Sequence, residues 1–131
     1  MTEPAHWLML ADEDLTMAQF AADGGIHRQA CFHSQQAVEK ALKGLLLAKV
    51  GTSPKGHSLE QLLYFSPEVH EQLKDCRTRL RELDQFYLPT RYADAVPDLL
   101  AAEPSVTEAR AAIRDAKLLV SRIRDLIGEA S

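Results

Sequence analysis

The stretch HRQACFHSQQAVEKALKGLLLAKV, residues 27–50, carries the longest uninterrupted helical pattern in the chain, and any fold must be arranged around it. At about 100° per residue, Cys31, Ala37, Val38, Ala41, Leu42, Leu45, Leu46 and Ala48 share one broad arc that can pack against other helices. His33, Gln36, Glu39, Lys40 and Lys43 gather on the opposite side, within about 120°. Glu39 precedes Lys43 by four residues, the favourable order for an ion pair, worth roughly a few tenths of a kcal/mol when exposed. Gly51 ends the helix with a residue free to take positive φ. The polar stripe has two readings. The ordinary one is a solvated outer face; the other is a groove or subunit contact lined by Gln36, Glu39, Lys40 and Lys43. Periodicity does not separate them.

Other helices fall in line around this one. A first helix begins at Thr2 or Glu3, tolerates Pro4 in its first turn and runs to about Ala22. Its inner stripe is Leu8, Ala11, Leu15, Ala18 and Ala22, with Glu13 and Asp14 facing water and Asp12 at the edge. Asp23, Gly24 and Gly25 make the turn that follows. After Gly51, TSPKGH reads as an irregular loop. His57 or Ser58 starts a short helix through Leu59, Leu62 and Leu63. Ser66, Pro67 and Glu68 form a new helix start with a capping hydroxyl, an early proline and an acid. The fourth helix then places Val69, Leu73, Cys76, Leu80, Leu83 and Tyr87 on one inner stripe. Its other faces mix Arg77, Arg79 and Arg81 with Asp75, Glu82 and Asp84, as a solvated face does. Residues 88–104 hold Pro89, Pro97 and Pro104 and read as a long connection with one helical turn near Asp98. Ser105 and Glu108 form a capping box for the last helix, whose inner side runs from Ala109 through Ala112, Ile113, Ala116, Leu119, Val120 and Ile123 to Ile127. The fold expected is all-α: an antiparallel up-and-down four-helix bundle with an additional short helix, residues 1–131 forming a single domain.

With 131 residues, 46% hydrophobic and 26% charged, the chain has the composition of an ordinary globular domain large enough for one core. Its net charge of −4 excludes a generally basic nucleic-acid coat and leaves room for a local basic site. Cys31 and Cys76 stand near apolar positions and read as buried free thiols. The first residues lack the basic start of a signal peptide, and the apolar run LLLA is far too short for a bilayer. The expected location is cytoplasmic, with no membrane association.

The series CFHSQQAVEKALKGLLLAKVG, KGHSLEQLL and YLPTRYADAV resembles the HEPN domain family of small helical bundles. The residues that carry the resemblance are Gln35, Gln36, Ala37, Glu39, Lys40, Ala41, Lys43, Gly51, His57, Leu59, Arg91, Tyr92 and Asp94. Gly44, Gly56 and Ala93 depart from the family's usual Ala, Thr and Pro. The resemblance implies a homodimer that acts with a minimal nucleotidyltransferase partner, in a toxin–antitoxin-like pair, as a nucleotide- or RNA-binding component. It also implies binding positions at Gln36, Glu39, Lys40, Lys43, His57, Arg91, Tyr92 and Asp94.

Three constellations bear on chemistry. Arg28 and His33 match the loose Arg-x4-His pattern of RNA-cutting members of the wider superfamily. There imidazole moves protons and guanidinium holds phosphate, giving the alternative of a metal-independent endoribonuclease toxin. His57 with Arg91 is a second pair of the same kind. Lys40, Lys43, His57, Arg91, Tyr92 and Asp94 fit either a phosphate and base site or an internal clamp in which Arg91 pairs with Glu39 and His57 caps a helix. His27, Cys31 and His33 lack further ligands at zinc-like spacing. No metal or other cofactor is expected. A third reading is a non-catalytic helical interaction module.

Overall fold

Six α-helices account for most of the computed structural model, which describes residues 1–87 and 103–130. They are α1 (Glu3–Asp23), α2 (His27–Val50), α3 (Leu59–Tyr64), α4 (Pro67–Leu73), α5 (Arg77–Asp84) and α6 (Val106–Ala130). The architecture is all-helical. The long α2 packs along α1 and α6 and touches α3, α4 and α5 as well.

Local chemistry sets the ends of these helices. Thr2 Oγ1 accepts the Ala5 amide at 3.2 Å to open α1, and Ser66 Oγ accepts the Val69 amide at 3.3 Å to open α4. The Ser105–Glu108 box closes in both directions, with Glu108 N donating to Ser105 Oγ at 3.0 Å and Ser105 N to Glu108 Oε1 at 3.2 Å. Gly51, at φ 78°, terminates α2 in the left-handed region, where a residue without Cβ carries no steric penalty.

The core is the apolar arc of α2 (Val38, Leu42, Leu45, Leu46) packed on α3 through Leu59, Leu62 and Leu63 and on α6 through Leu119 and Ile123. Gly44 lets α1 come close: a Cβ there would lie 3.1 Å from Trp7 Cβ and 3.2 Å from the Pro4 carbonyl oxygen.

Two sequence expectations need correction, and one open reading narrows. Asp14 does not face water but is 6% exposed, on the same stripe as Ala11 and Ala18. The polar stripe of α2 is only partly solvated: Glu39 is 4% and Lys43 9% exposed, while His33, Gln36 and Lys40 are half-buried. The fourth helix is not continuous: a 3-10 turn at Lys74–Cys76 divides α4 from α5, and Tyr87 lies beyond the end of α5. The break frees the Gln72 carbonyl from helical bonding, and Arg122 Nη2 on α6 donates to it at 2.8 Å. Arg122 Nη1 also reaches Asp75 Oδ2 at 2.6 Å, so α6 holds the broken turn in place.

Candidate functional site

Two sunken carboxylates organise the polar side of α2. Asp14, from α1, takes His33 Nδ1 at 2.8 Å on one oxygen and the Lys40 ammonium on the other. Glu39 takes Lys43 Nζ at 3.3 Å and His57 Nδ1 at 3.2 Å. Each acid thus holds one lysine and one histidine. A carboxylate with so little access to water requires such partners, because an unpaired buried charge is strongly unfavourable.

The loop carrying His57 is fixed from several directions. The Gln35 side chain, fully buried, donates through Nε2 to the His57 carbonyl at 3.0 Å, while its own oxygen accepts from Gln36 Nε2 at 2.7 Å. Ser58, not His57, caps α3. Asp84 at the end of α5 completes that cap, accepting the Leu59 amide at 2.7 Å and the Glu60 amide at 3.2 Å. A carboxylate there matches the positive end of the helix dipole. The Tyr87 ring stacks on His57, with centroids 4.9 Å apart and planes 19° from parallel. On the other flank, Lys43 lies over the Trp7 ring at 5.8 Å, within cation–π range.

The sequence-derived residues therefore divide. Gln36, Glu39, Lys40, Lys43 and His57 are brought together, with His33 added through Asp14. Arg28 stands in the first turn of α2, about 140° around an ideal helix from His33. Arg91, Tyr92 and Asp94, and with them the proposed Arg91–Glu39 pair, lie outside the described residues. Asp14, Trp7 and Tyr87 were not anticipated as members. Asp14 left a signal: it falls three residues after Ala11 and four before Ala18, the spacing of an inner stripe.

Both histidines have Nδ1 engaged by a carboxylate, which leaves Nε2 as the second hydrogen-bonding atom. The side chains of His57 and His33 are 52% and 24% exposed, so solvent reaches both. Such groups can donate to a phosphate oxygen or relay a proton. Among the described residues, no set of three or more His, Cys, Asp or Glu is arranged to hold a metal ion, and no helix is long and apolar enough to cross a membrane. Cys31 and Cys76 are free and buried.

The chain is similar to two solved structures over nearly its whole length. TT1696 from Thermus thermophilus is 36% identical, with a TM-score of 0.80 over 96% of this chain and 99% of that one. ST0689, described as an archaeal HEPN homologue, is 32% identical, with a TM-score of 0.73 over 97% and 99%. No curated protein matches the chain. The HEPN domain pattern matches residues 5–126, and the chain belongs to the HEPN domain family.

Proposed function

We infer that this protein is the nucleotide- or RNA-binding member of a two-component, toxin–antitoxin-like system. In this reading it works as a homodimer beside a minimal nucleotidyltransferase that carries the adenylyl-transfer chemistry. The observation that supports it is the α2 stripe, where His33, Lys40 and His57 are held at the surface by the buried Asp14 and Glu39. Polar groups fixed this way keep their outer edges for an anionic ligand at little further ordering cost. Lys43, enclosed between Glu39 and Trp7, chiefly neutralises the acid. The family resemblance assigns the same role to Arg91, as a phosphate fork, to Tyr92, as a base platform, and to Asp94, all three outside the described residues.

Co-expression with the nucleotidyltransferase encoded nearest this gene tests the partnership, and a partner that fails to co-purify counts against it. Thermal shift with millimolar ATP tests the ligand. Saturation at one hundred times Kd should add about 2.7 kcal/mol of stability, and the absence of any shift removes a nucleotide role at that affinity.

The Asp14–His33 contact favours a second reading, a metal-independent endoribonuclease in which His33 transfers protons and Arg28 acts on phosphate. RNA cleavage in EDTA by the wild type, lost in His33→Ala, supports it. A wild type that does not cut removes it.

A further inference from the structure

Arg110, Arg114 and Lys117 recur on α6 at spacings of four and three residues, which brings them to one side of the helix. They line a cleft of about 650 Å³ that is completed by Gln19 and Asp23 from α1 and His27 from α2. That volume lies within the usual range for small-molecule sites, about 300–1,000 Å³. The chain as a whole carries a net charge of −4, yet the cleft is cationic. Its one carboxylate, Asp23, already accepts from Gln19 Nε2 at 2.9 Å.

The cations there are weakly engaged. Among the described residues Arg110 has no acceptor. Arg114 Nε is 3.7 Å from Asp115 Oδ1, an oxygen that also faces Arg79 Nε at 3.4 Å. Among the described residues Lys117 reaches only Gln19 Oε1, at 3.5 Å. His27 Nδ1 is buried, with no hydrogen-bond partner among the described residues, and such an atom calls for one. Here α2 also begins without a side-chain cap or an acid in its first turn, so its dipole adds to the positive field.

A second hollow of about 370 Å³ adjoins the first, sharing Gln19, Asp23 and Lys117 and adding Leu15, Thr16 and Phe20. Phe20 is 69% exposed. An aromatic ring open to solvent beside clustered cations is a stacking platform next to a phosphate site.

We propose that these joined hollows bind a nucleoside phosphate, either free or as the phosphorylated end of an RNA strand. The phosphate lies against Arg110, Arg114 and His27, and the base lies on Phe20. None of these residues belongs to the α2 stripe, so the proposal does not depend on the role assigned to that stripe.

Isothermal titration of the full chain with ADP, inorganic pyrophosphate, adenosine and a 5′-phosphorylated oligoribonucleotide tests it. ADP and pyrophosphate should bind, and adenosine should bind at least about tenfold more weakly than ADP. The variant carrying Arg110→Glu and Arg114→Glu, both at exposed helical positions, should lose about tenfold or more in ADP affinity. Phe20→Ala should weaken ADP by about tenfold and leave pyrophosphate unchanged. Tighter binding of the oligonucleotide than of ADP assigns the site to an RNA end, and the reverse assigns it to the free nucleotide. Absence of binding at about 5 mM ADP overturns the proposal, as does unchanged ADP affinity in the charge-reversed variant. If that variant does not fold, Arg110→Gln with Arg114→Gln takes its place, with the same loss expected. ADP binding that disappears in Lys40→Gln and persists in the charge-reversed variant also overturns this site, while leaving the α2 stripe as the binding surface.

Discussion

Glu39 is nearly enclosed, and its carboxylate holds both Lys43 and His57. Removing the acid strands the Lys43 ammonium, whose side chain is 11% exposed, beside the Trp7 ring. Glu39→Ala should therefore cost about 2–4 kcal/mol in urea unfolding, whereas Glu39→Gln, which keeps an acceptor, should cost about 1 kcal/mol. The pairing of Glu39 with Lys43 was legible from their spacing. Its burial was not, because the covering groups come from Trp7 and His57 on other elements. Cys31 makes a second case at this scale. Burial, and then the Glu108 carboxylate, push its thiol up to about 11. On the order of one in a thousand such thiols is ionised at about pH 8. Cys31 should react with an aromatic disulfide reagent only as the protein unfolds, at a rate that follows urea concentration. Prompt reaction in the native state would contradict its burial.

Element boundaries were the most readable part of the chain because they are written in local chemistry. Thr2, Ser58, Ser66 and Ser105 each cap the helix that follows, and Gly51 closes α2. The division between α4 and α5 was not readable, because an apolar stripe can run through a 3-10 turn and the interaction that holds the turn comes from Arg122, 47 residues after Asp75. That contact carries a pH dependence. The Arg122 hydrogen bond holds the Asp75 carboxyl below its usual range. The folded state thus prefers the ionised acid, and its contribution is complete above the unfolded value of about 4 and lost as pH falls through the lower folded value. Both groups are well exposed, so solvent screening keeps the effect under about 1 kcal/mol. Asp75→Asn should melt below the wild type at neutral pH and converge with it in acid; a gap independent of pH would refute the linkage. Gly44 is a further test at this scale. Alanine raises helix propensity by about 1 kcal/mol. Its Cβ, however, meets Trp7 Cβ and the Pro4 carbonyl oxygen, neither of them the end of a flexible side chain, and overpacking costs about 1–3 kcal/mol. Gly44→Ala should lower stability by about 1 kcal/mol, with altered Trp7 fluorescence.

At the scale of the whole molecule, helical periodicity was enough to foretell a bundle, since α2 displays an apolar arc too broad for one neighbour to cover. The candidate site was legible only in part. Lys40 and Glu39 lie within one local pattern, but the Glu39–His57 contact spans 18 residues and depends on a loop path set by Gln35 and Asp84. The same geometry bears on cooperativity. Because α2 packs against α1, α3, α4, α5 and α6, no described helix can leave without exposing part of its apolar arc. We therefore propose that the chain unfolds as one domain. Trp7, the chain's one tryptophan, sits near the start of α1 against Gly44 and Lys43, whereas far-UV circular dichroism sums over all helices. The two signals should give superimposable urea transitions with a common slope of about 1–3 kcal/mol per molar. If Trp7 changes at lower urea than the helical signal, α1 separates before the rest. Asp14 would then leave His33 and Lys40 before the bundle itself is lost, and the stripe would be a feature that α1 can assemble and release.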